Sequence, residues 1–295
     1  MNIKQLLYSK YRKQEQYLIA CKLMSEQEFF DYISEKLNDM ECIMIEDNGN
    51  VGILYYQQWQ EEKCFCSIPV YGYYAEDEKM MCRLFKELAS RVVMDNICEF
   101  SVNLYSYDAE CIQAYHMMQF GNMAEKCIKK IENERDNIVS EFNIKVLTKS
   151  DILHNWNRIW ELTEGIIKHL QNSPVFYPGN EFTEELYRDF YMSEETEVIV
   201  AYDKAEIIGM IEWNKEANML MCGENSVNVG EIYVMPQYRG TKLSEQLLNM
   251  AIKRAKEAGH EYMWVEHGTA NPNARGFWNK YFETYQYELT RVVNM

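Results

Sequence analysis

The chain of 295 residues has 47% hydrophobic residues and 46 acidic against 30 basic side chains. Its length suits two domains better than one, and a formal net charge of −16, spread over both halves, argues against general binding of nucleic acid or an anionic membrane. With only 5 prolines and 13 glycines, it is neither a disordered nor a collagen-like chain.

The nine cysteines are odd in number and scattered, with no Cys-x-x-Cys pair; the nearest approach is Cys64-Phe65-Cys66. His116, His154, His169, His260 and His267 have no ligand spacing either, so no metal is expected and a reduced cytoplasm fits best. The first residues carry Lys4, Lys10, Arg12 and Lys13 without an apolar run, and no segment reads as a signal peptide or a spanning helix. A cytoplasmic protein is the expectation.

In chain order, Ser25 to Asn38 reads as a helix with Ser25 and Glu28 as a capping box. Cys42 to Glu46 and Val51 to Trp59 read as strands joined by a turn at Asp47-Asn48-Gly49-Asn50, and Phe65 to Val70 as a further strand. Glu76 to Met94 has Met80, Leu84, Leu88 and Val92 at helical spacing. A strand at Glu99 to Leu104, a helix at Asp108 to Met118 and a strand or short amphipathic segment at Met123 to Ile131 complete the first half. The polar stretch Glu132 to Glu141 is the linker candidate, dividing the chain into residues 1–138 and 139–295.

The second half repeats the order with clearer signals. Asn143 to Leu147 is a strand, Asp151 to Leu170 and Glu181 to Tyr191 are helices, and Glu197 to Tyr202 with Glu206 to Trp213 form a hairpin. Glu216 to Cys222 and the loop from Gly223 precede a strand at Val229 to Met235. A long helix runs to Ala258 with Leu243, Leu247, Ala251 and Ala255 on one side, and Gly259 ends it. A strand at Glu261 to Glu266, a helix at Asn273 to Tyr281 and a strand at Tyr285 to Val293 close the chain.

The segment with chemical content is Glu231-Ile-Tyr-Val-Met-Pro-Gln-Tyr-Arg-Gly-Thr-Lys-Leu. A strand ends at Pro236, turns sharply and opens a helix whose first-turn amides lack internal partners, which suits a diphosphate. Gly240 permits close backbone approach, and Arg239 and Lys242 add positive charge to an acidic protein. An ordinary strand-to-helix connection explains the same spacing equally well.

This loop resembles that of the GNAT superfamily of acyl-CoA-dependent N-acetyltransferases, whose pyrophosphate loop reads Gln/Arg-x-x-Gly-x-Gly/Ala. Here Gln237 and Gly240 match and Lys242 departs. A second family element, an Asn, then Ala, then an aromatic pair on a short helix, corresponds to Asn271-Pro-Asn-Ala274 followed by Phe277-Trp278 and Tyr281-Phe282. The resemblance covers about residues 142–295. It implies an α/β fold (α+β in some schemes) of tandem GNAT-type domains, each a mixed, mostly antiparallel sheet flanked by helices.

For the site, the resemblance implies acetyl-CoA as co-substrate without a metal. Gln237, Tyr238, Arg239, Gly240, Thr241, Lys242, Leu243 and Ser244 would hold the diphosphate. Tyr233, Val234 and Met235 would hold pantetheine in an opening between two strands, with Asn271, Ala274 and Trp278 contributing from the closing segment. A primary amine, from a small molecule or a peptide, would attack the thioester. Glu231 is the candidate base, with binding of a cationic substrate an equal alternative; His267 is the rival base, although packing at a strand end explains it better. The family's usual tyrosine acid is replaced by Trp278, leaving Tyr281 or water.

The first half resembles a degenerate copy. Asp108 to Phe120 retains a closing-helix pattern with Tyr115, while Glu76-Asp77-Glu78 stands where the phosphate loop would be. That copy is expected to be non-catalytic, shaping the substrate cleft or an assembly such as a homodimer. Phe176, Tyr177, Phe182, Tyr187 and Tyr191 fall where the family arches over the acceptor, and core packing is the expected role of most of them. The rival reading is a non-catalytic acyl-CoA-binding or protein-interaction module.

Overall fold

Ser25 begins a helix because its hydroxyl accepts the Glu28 N–H while the Glu28 carboxylate accepts the Ser25 N–H at 2.8 Å. The computed structural model describes residues 2–60, 64–95, 97–132, 142–174 and 182–293. Most of the linker candidate at Glu132 to Glu141, together with Phe176 and Tyr177, lies outside the described residues.

The first elements are α1 (Ile3–Arg12), α2 (Glu26–Lys36), β1 (Glu41–Asp47), β2 (Asn50–Gln60), β3 (Cys64–Ile68), β4 (Tyr73–Tyr74), α3 (Glu78–Val92), β5 (Glu99–Tyr105), α4 (Ala109–Met117) and β6 (Gly121–Lys130). The next are β7 (Asn143–Val146), α5 (Lys149–His154), α6 (Trp156–Gln171), α7 (Glu184–Met192), β8 (Thr196–Asp203) and β9 (Glu206–Asn214). The chain then forms β10 (Ser226–Val234), α8 (Leu243–Glu257), β11 (Tyr262–Gly268), α9 (Pro272–Tyr281) and β12 (Glu283–Val292). The class is mixed α/β, a mostly antiparallel sheet flanked by helices, as the sequence implied. Among the described residues, no helix is long and apolar enough to cross a membrane.

Two compact units emerge, and they do not coincide with a cut after residue 138. The first comprises Met1–Cys127, His267–Thr269 and Phe282–Met295. Its strand order is β1-β2-β3-β5-β12-β6, with β4 against β2. The last strand of the chain is therefore part of this unit, antiparallel to β5 from Gln286 opposite Tyr105 to Val292 opposite Glu99. The register buries Tyr285 and Leu289 of β12, together with Phe100, Val102 and Leu104 of β5.

The second unit comprises Ile128–Glu266 and Ala270–Tyr281, with strand order β11-β10-β9-β8-β7. Each unit thus takes its closing stretch from the other half of the sequence, since Ile128–Lys130 of β6 belongs with the second. There the Ile131 N–H donates to the Glu261 carbonyl at 2.8 Å. From β7 to β11 the pairs β7–β8, β8–β9 and β9–β10 are antiparallel and β10–β11 is parallel. Strands β8 and β9 read as near-continuous apolar runs because they are buried along almost their whole length.

One local expectation changes, and two elements are additions to the sequence reading. The single helix at Asp151 to Leu170 is two, because Asn155 leaves the helical region at φ −102°, ψ 15° and ends α5 before α6 begins. Glu216 to Cys222 forms turns, held by Ser226 Oγ accepting the Asn218 N–H at 2.9 Å. Helix α1, not expected from the sequence, buries Leu6, Leu7 and Tyr11 in an otherwise polar segment.

Candidate functional site

The site begins with an irregularity in the sheet. Strand β10 pairs with β9 through Val229 opposite Trp213 and then Ile232 opposite Ile211, so Gly230 and Glu231 together face the one residue Glu212. This is a β-bulge. Its extra N–H, that of Glu231, is accepted by the Glu212 side chain at 2.8 Å. Gly230 is required here, since a Cβ on it would fall inside the Glu212 carboxyl group.

On its other side β10 is open. Its parallel ladder to β11 covers Ser226–Asn228 opposite Tyr262–Trp264 and goes no further. From Val229 to the end of β10 the strands splay, leaving backbone donors and acceptors that an extended ligand can pair with. Tyr233 and Val234 stay paired to Met210 and Gly209 on the closed side, and the Met235 N–H donates to the Ile208 carbonyl at 3.0 Å.

Beyond the strand, Pro236, Gln237 and Tyr238 form one 3-10 turn. Gly240 has φ 82° and Lys242 has φ 64°, so two left-handed residues swing the chain into α8 at Leu243 and Ser244. Lys242 makes no side-chain cap. The first-turn amides of α8 have no acceptors within the helix and remain directed at the loop, as an anion site requires. A Cβ on Gly240 would meet nothing within 4 Å, so the turn presents an open surface. Arg239 is anchored by its Nε donating to the Val234 carbonyl at 3.2 Å, and its guanidinium lies 5.7 Å from the Tyr233 ring centroid. Tyr238 donates to Asp203 at 2.8 Å, and Thr241 donates to the Tyr238 carbonyl at 2.6 Å. These residues fit a diphosphate cradle, and Lys242, the departure from the family pattern, lies at a left-handed position where glycine is the easier residue.

Electrostatically the centre is the carboxyl pair. Glu212 is only 2% exposed, and burial pushes its carboxyl up to about 8, with the charge of Glu231 adding to the shift. Burial likewise pushes Glu231 up to about 7, opposed by the hydrogen bond that Tyr187 donates to its Oε1 at 2.7 Å. Oε2 of each carboxyl is buried without a protein partner. Near neutral pH the folded pair therefore holds protons that two ordinary carboxyls would have lost.

Aromatic rings stand around this pair. Tyr187 on α7 lies 5.7 Å from Tyr191 and 6.2 Å from Trp160, between ring centroids. Tyr233 packs against Gly165 of α6, where a Cβ would meet its ring at 2.5 Å. Tyr187 and Tyr191 are buried members of the core over α5 to α7, and Trp160, Phe182 and Tyr233 pack partly buried against it.

The other sequence candidates have partners of their own. Asn271 uses its Oδ1 to accept the N–H groups of Asn273 and Ala274, both at 3.2 Å, which fixes the start of α9. Its Nδ2 lies 3.1 Å from His169 Nε2. Trp278 is buried in α9 with its ring edge against Phe277. Tyr281 accepts from Lys280 Nζ at 2.7 Å, and that lysine reaches Glu245 in the first turn of α8 at 3.6 Å. Those partners are not the carboxyl pair. His267 belongs to the first unit, where its partners include Cys127. In the first half, Asp77 caps α3 by accepting the Met80 N–H at 2.7 Å, so the acidic triplet starts a helix there.

Residues missed in the sequence are Glu212 and Gly230; the signal for the first was a lone carboxylate inside the apolar run Ile207 to Trp213.

No curated protein matches the chain significantly. A GCN5-related N-acetyltransferase from Sphaerobacter thermophilus matches with a TM-score of 0.60 at 11% identity, covering 99% of this chain and 92% of its own, a likeness of fold. A functionally unknown conserved protein from Staphylococcus epidermidis ATCC 12228 matches with a TM-score of 0.47 at 9% identity, over 89% of this chain and 98% of its own. An aminoglycoside acetyltransferase from an uncultured soil metagenomic sample, in complex with sisomicin, matches with a TM-score of 0.37 at 17% identity, over 47% of this chain and 86% of its own. A model of the acetyltransferase (GNAT) family matches residues 166–283, which take in β10, the turn, α8, β11 and α9.

Proposed function

We propose that the protein is an N-acetyltransferase that moves an acetyl group from acetyl-CoA to a primary amine by direct attack. The observation that carries this is Glu231: a buried carboxyl at a bulge, on the strand whose far edge is open, with its pKa pushed up to about 7. A base is most useful when its pKa lies near the working pH.

In this reading the diphosphate sits on the turn from Gln237 to Lys242 and the first amides of α8, and the pantetheine pairs along the open edge of β10. A protonated amine cannot attack a thioester, so Glu231 takes its proton, directly or through one water. The nitrogen lone pair then forms the new C–N bond at the acetyl carbonyl, whose oxygen is held by a backbone N–H of β10. As the C–S bond breaks, the sulfur leaves with the electron pair of that bond, and the second proton of the attacking nitrogen passes to it by way of water or Tyr281, which leaves a neutral amide and a free thiol. Glu212 stays neutral and fixes the bulge, leaving Glu231 as the ionising group.

The acceptor that suits the pocket is a small cationic amine. Glu231, when ionised, attracts a cation and repels an anion, and among the described residues no basic side chain is bonded to it. The test is release of free thiol from acetyl-CoA across a panel of polyamines, aminoglycosides, simple amines and peptide N-termini. Stimulation by cationic amines is expected. Acetyl-CoA binding without thiol release for any amine would replace this reading with the non-catalytic acyl-CoA module, which the buried Trp278 in place of a tyrosine acid favours.

A further inference from the structure

The first unit contains a cluster of ionisable side chains that acyl transfer does not use. Glu125 and Cys127 lie two apart on β6 and so project from the same face of the strand. His267, at the end of β11, meets them: its Nε2 is 3.7 Å from Cys127 Sγ and 3.9 Å from Glu125 Oε2. Ligand atoms of all three lie within 4.8 Å of one another. Glu125 is 5% exposed, His267 6% and Cys127 0%. Thr284 of β12 donates to Glu125 Oε2 at 3.0 Å, and its hydroxyl lies 3.4 Å from Cys127 Sγ.

We infer that Glu125, Cys127 and His267 form a buried binding site for one zinc ion. The donor set is of the kind zinc takes, one thiolate, one imidazole and one carboxylate. Tetrahedral bonds to zinc put sulfur and nitrogen about 3.5 Å apart, and nitrogen and oxygen about 3.3 Å apart. The sulfur–nitrogen and nitrogen–oxygen separations of 3.7 and 3.9 Å exceed these by about 0.2 and 0.6 Å, and the sulfur–carboxylate separation lies within 4.8 Å, shifts that side-chain rotation supplies.

Charge balance supports the same assignment. A divalent ion with one carboxylate, one thiolate and a neutral imidazole is a neutral complex, the form that a buried position tolerates best. On binding, the Cys127 S–H bond breaks, its electron pair forms the S–Zn bond and one proton leaves to solvent. No oxidant or reductant is needed. The Thr284 hydroxyl fixes the Glu125 carboxylate, as groups outside the ligand set do in metal sites. The two halves of the ligand set come from residues 140 positions apart, so no spacing in the sequence could display it.

The test uses the full chain stripped of metal by chelator dialysis. Titration with Zn²⁺ against a chromophoric chelator should show one equivalent bound with a dissociation constant at or below about micromolar. Co²⁺ in its place should give the intense visible bands of a tetrahedral site and a thiolate-to-cobalt charge-transfer band. In Cys127→Ser the charge-transfer band should vanish, and in His267→Gln zinc affinity should fall at least about 10²-fold. Should these variants fold poorly, the unaltered protein decides alone: no uptake of Zn²⁺, or only the weak bands of octahedral Co²⁺, overturns the inference. A charge-transfer band that survives in Cys127→Ser overturns it too, by placing the ion on another cysteine.

Discussion

The Glu212 carboxyl accepts the backbone N–H of Glu231 at 2.8 Å, and this one bond joins the bulge of β10 to the acid that the proposed chemistry needs. Removing the side chain would leave a buried N–H unpaired and let the bulge relax, at a cost of roughly 1–3 kcal/mol. The neutral form of Glu212 serves the bond well, because one oxygen suffices to accept it.

The pair makes stability depend on pH. Both folded-state pKa values, about 8 and about 7, lie above the ordinary 4.5. Above pH 4.5 the unfolded chain gives up protons that the folded chain keeps, so the contribution is full below 4.5 and is lost as pH rises through 7 to 8. Glu212→Gln, always neutral, should match the parent near pH 5 and exceed its melting temperature by roughly 5 °C near pH 9. Thermal scans of both proteins across that range check this; parallel curves would count against a buried, protonated Glu212.

Tyr187 tunes the base. Its hydroxyl donates to Glu231 Oε1 and so favours the ionised form. In Tyr187→Phe the Glu231 pKa should climb, moving the acid limb of the turnover profile upward by about one pH unit. Turnover on the alkaline plateau should hold. A pH–rate profile of each protein separates this from a packing defect, which would lower the plateau instead.

Gly240 is open to a ligand and has φ 82°. Gly240→Asp adds backbone strain of about 1 kcal/mol and a carboxylate facing the diphosphate. Acetyl-CoA at about 100 times its dissociation constant should stabilise the parent by about 2.7 kcal/mol. Most of that gain should be missing in the variant, as read by differential scanning fluorimetry with and without acetyl-CoA.

The halves of the sequence should not fold separately. A cut between residues 141 and 142 would leave β5 without β12, and the second unit without Ile128–Lys130. Expressed apart, the two pieces should lack cooperative unfolding, and expressed together they should recover it. Chemical denaturation followed by circular dichroism checks this; a cooperatively folded 142–295 piece would contradict it.

Much of this could be read from the chain itself. The turn at Gln237 to Lys242, helix α8 and the position of Glu231 follow from local pattern, because a strand, a glycine turn and an amphipathic helix leave periodic signals. The role of Glu212 did not, because it depends on which strand lies beside the bulge. The exchange of closing stretches was also invisible: both halves end in the order strand, helix, strand, helix, strand, and a strand such as Tyr285 to Val293 shows what face it buries but not whose sheet it joins. The carboxamide of Asn271 begins α9, a role that the sequence reading did not give it. His267 belongs with Glu125 and Cys127, a grouping set by tertiary contacts alone.

The central claim is that Glu231 takes the proton of the attacking amine, and saturation curves for the parent and Glu231→Gln test it most directly. They are measured as thiol release from acetyl-CoA, with the most active amine of the panel, near pH 7 and again about two units higher. The substitution preserves shape and removes the basic electron pair. Turnover at saturating amine should fall by roughly 10²–10⁴-fold at the lower pH, and by less at the higher pH, where more of the amine is already neutral. Affinity for acetyl-CoA should hardly change. Turnover unchanged at saturation, with only the Michaelis constant for the amine raised, would contradict the claim and leave Glu231 as a binder of the acceptor's charge.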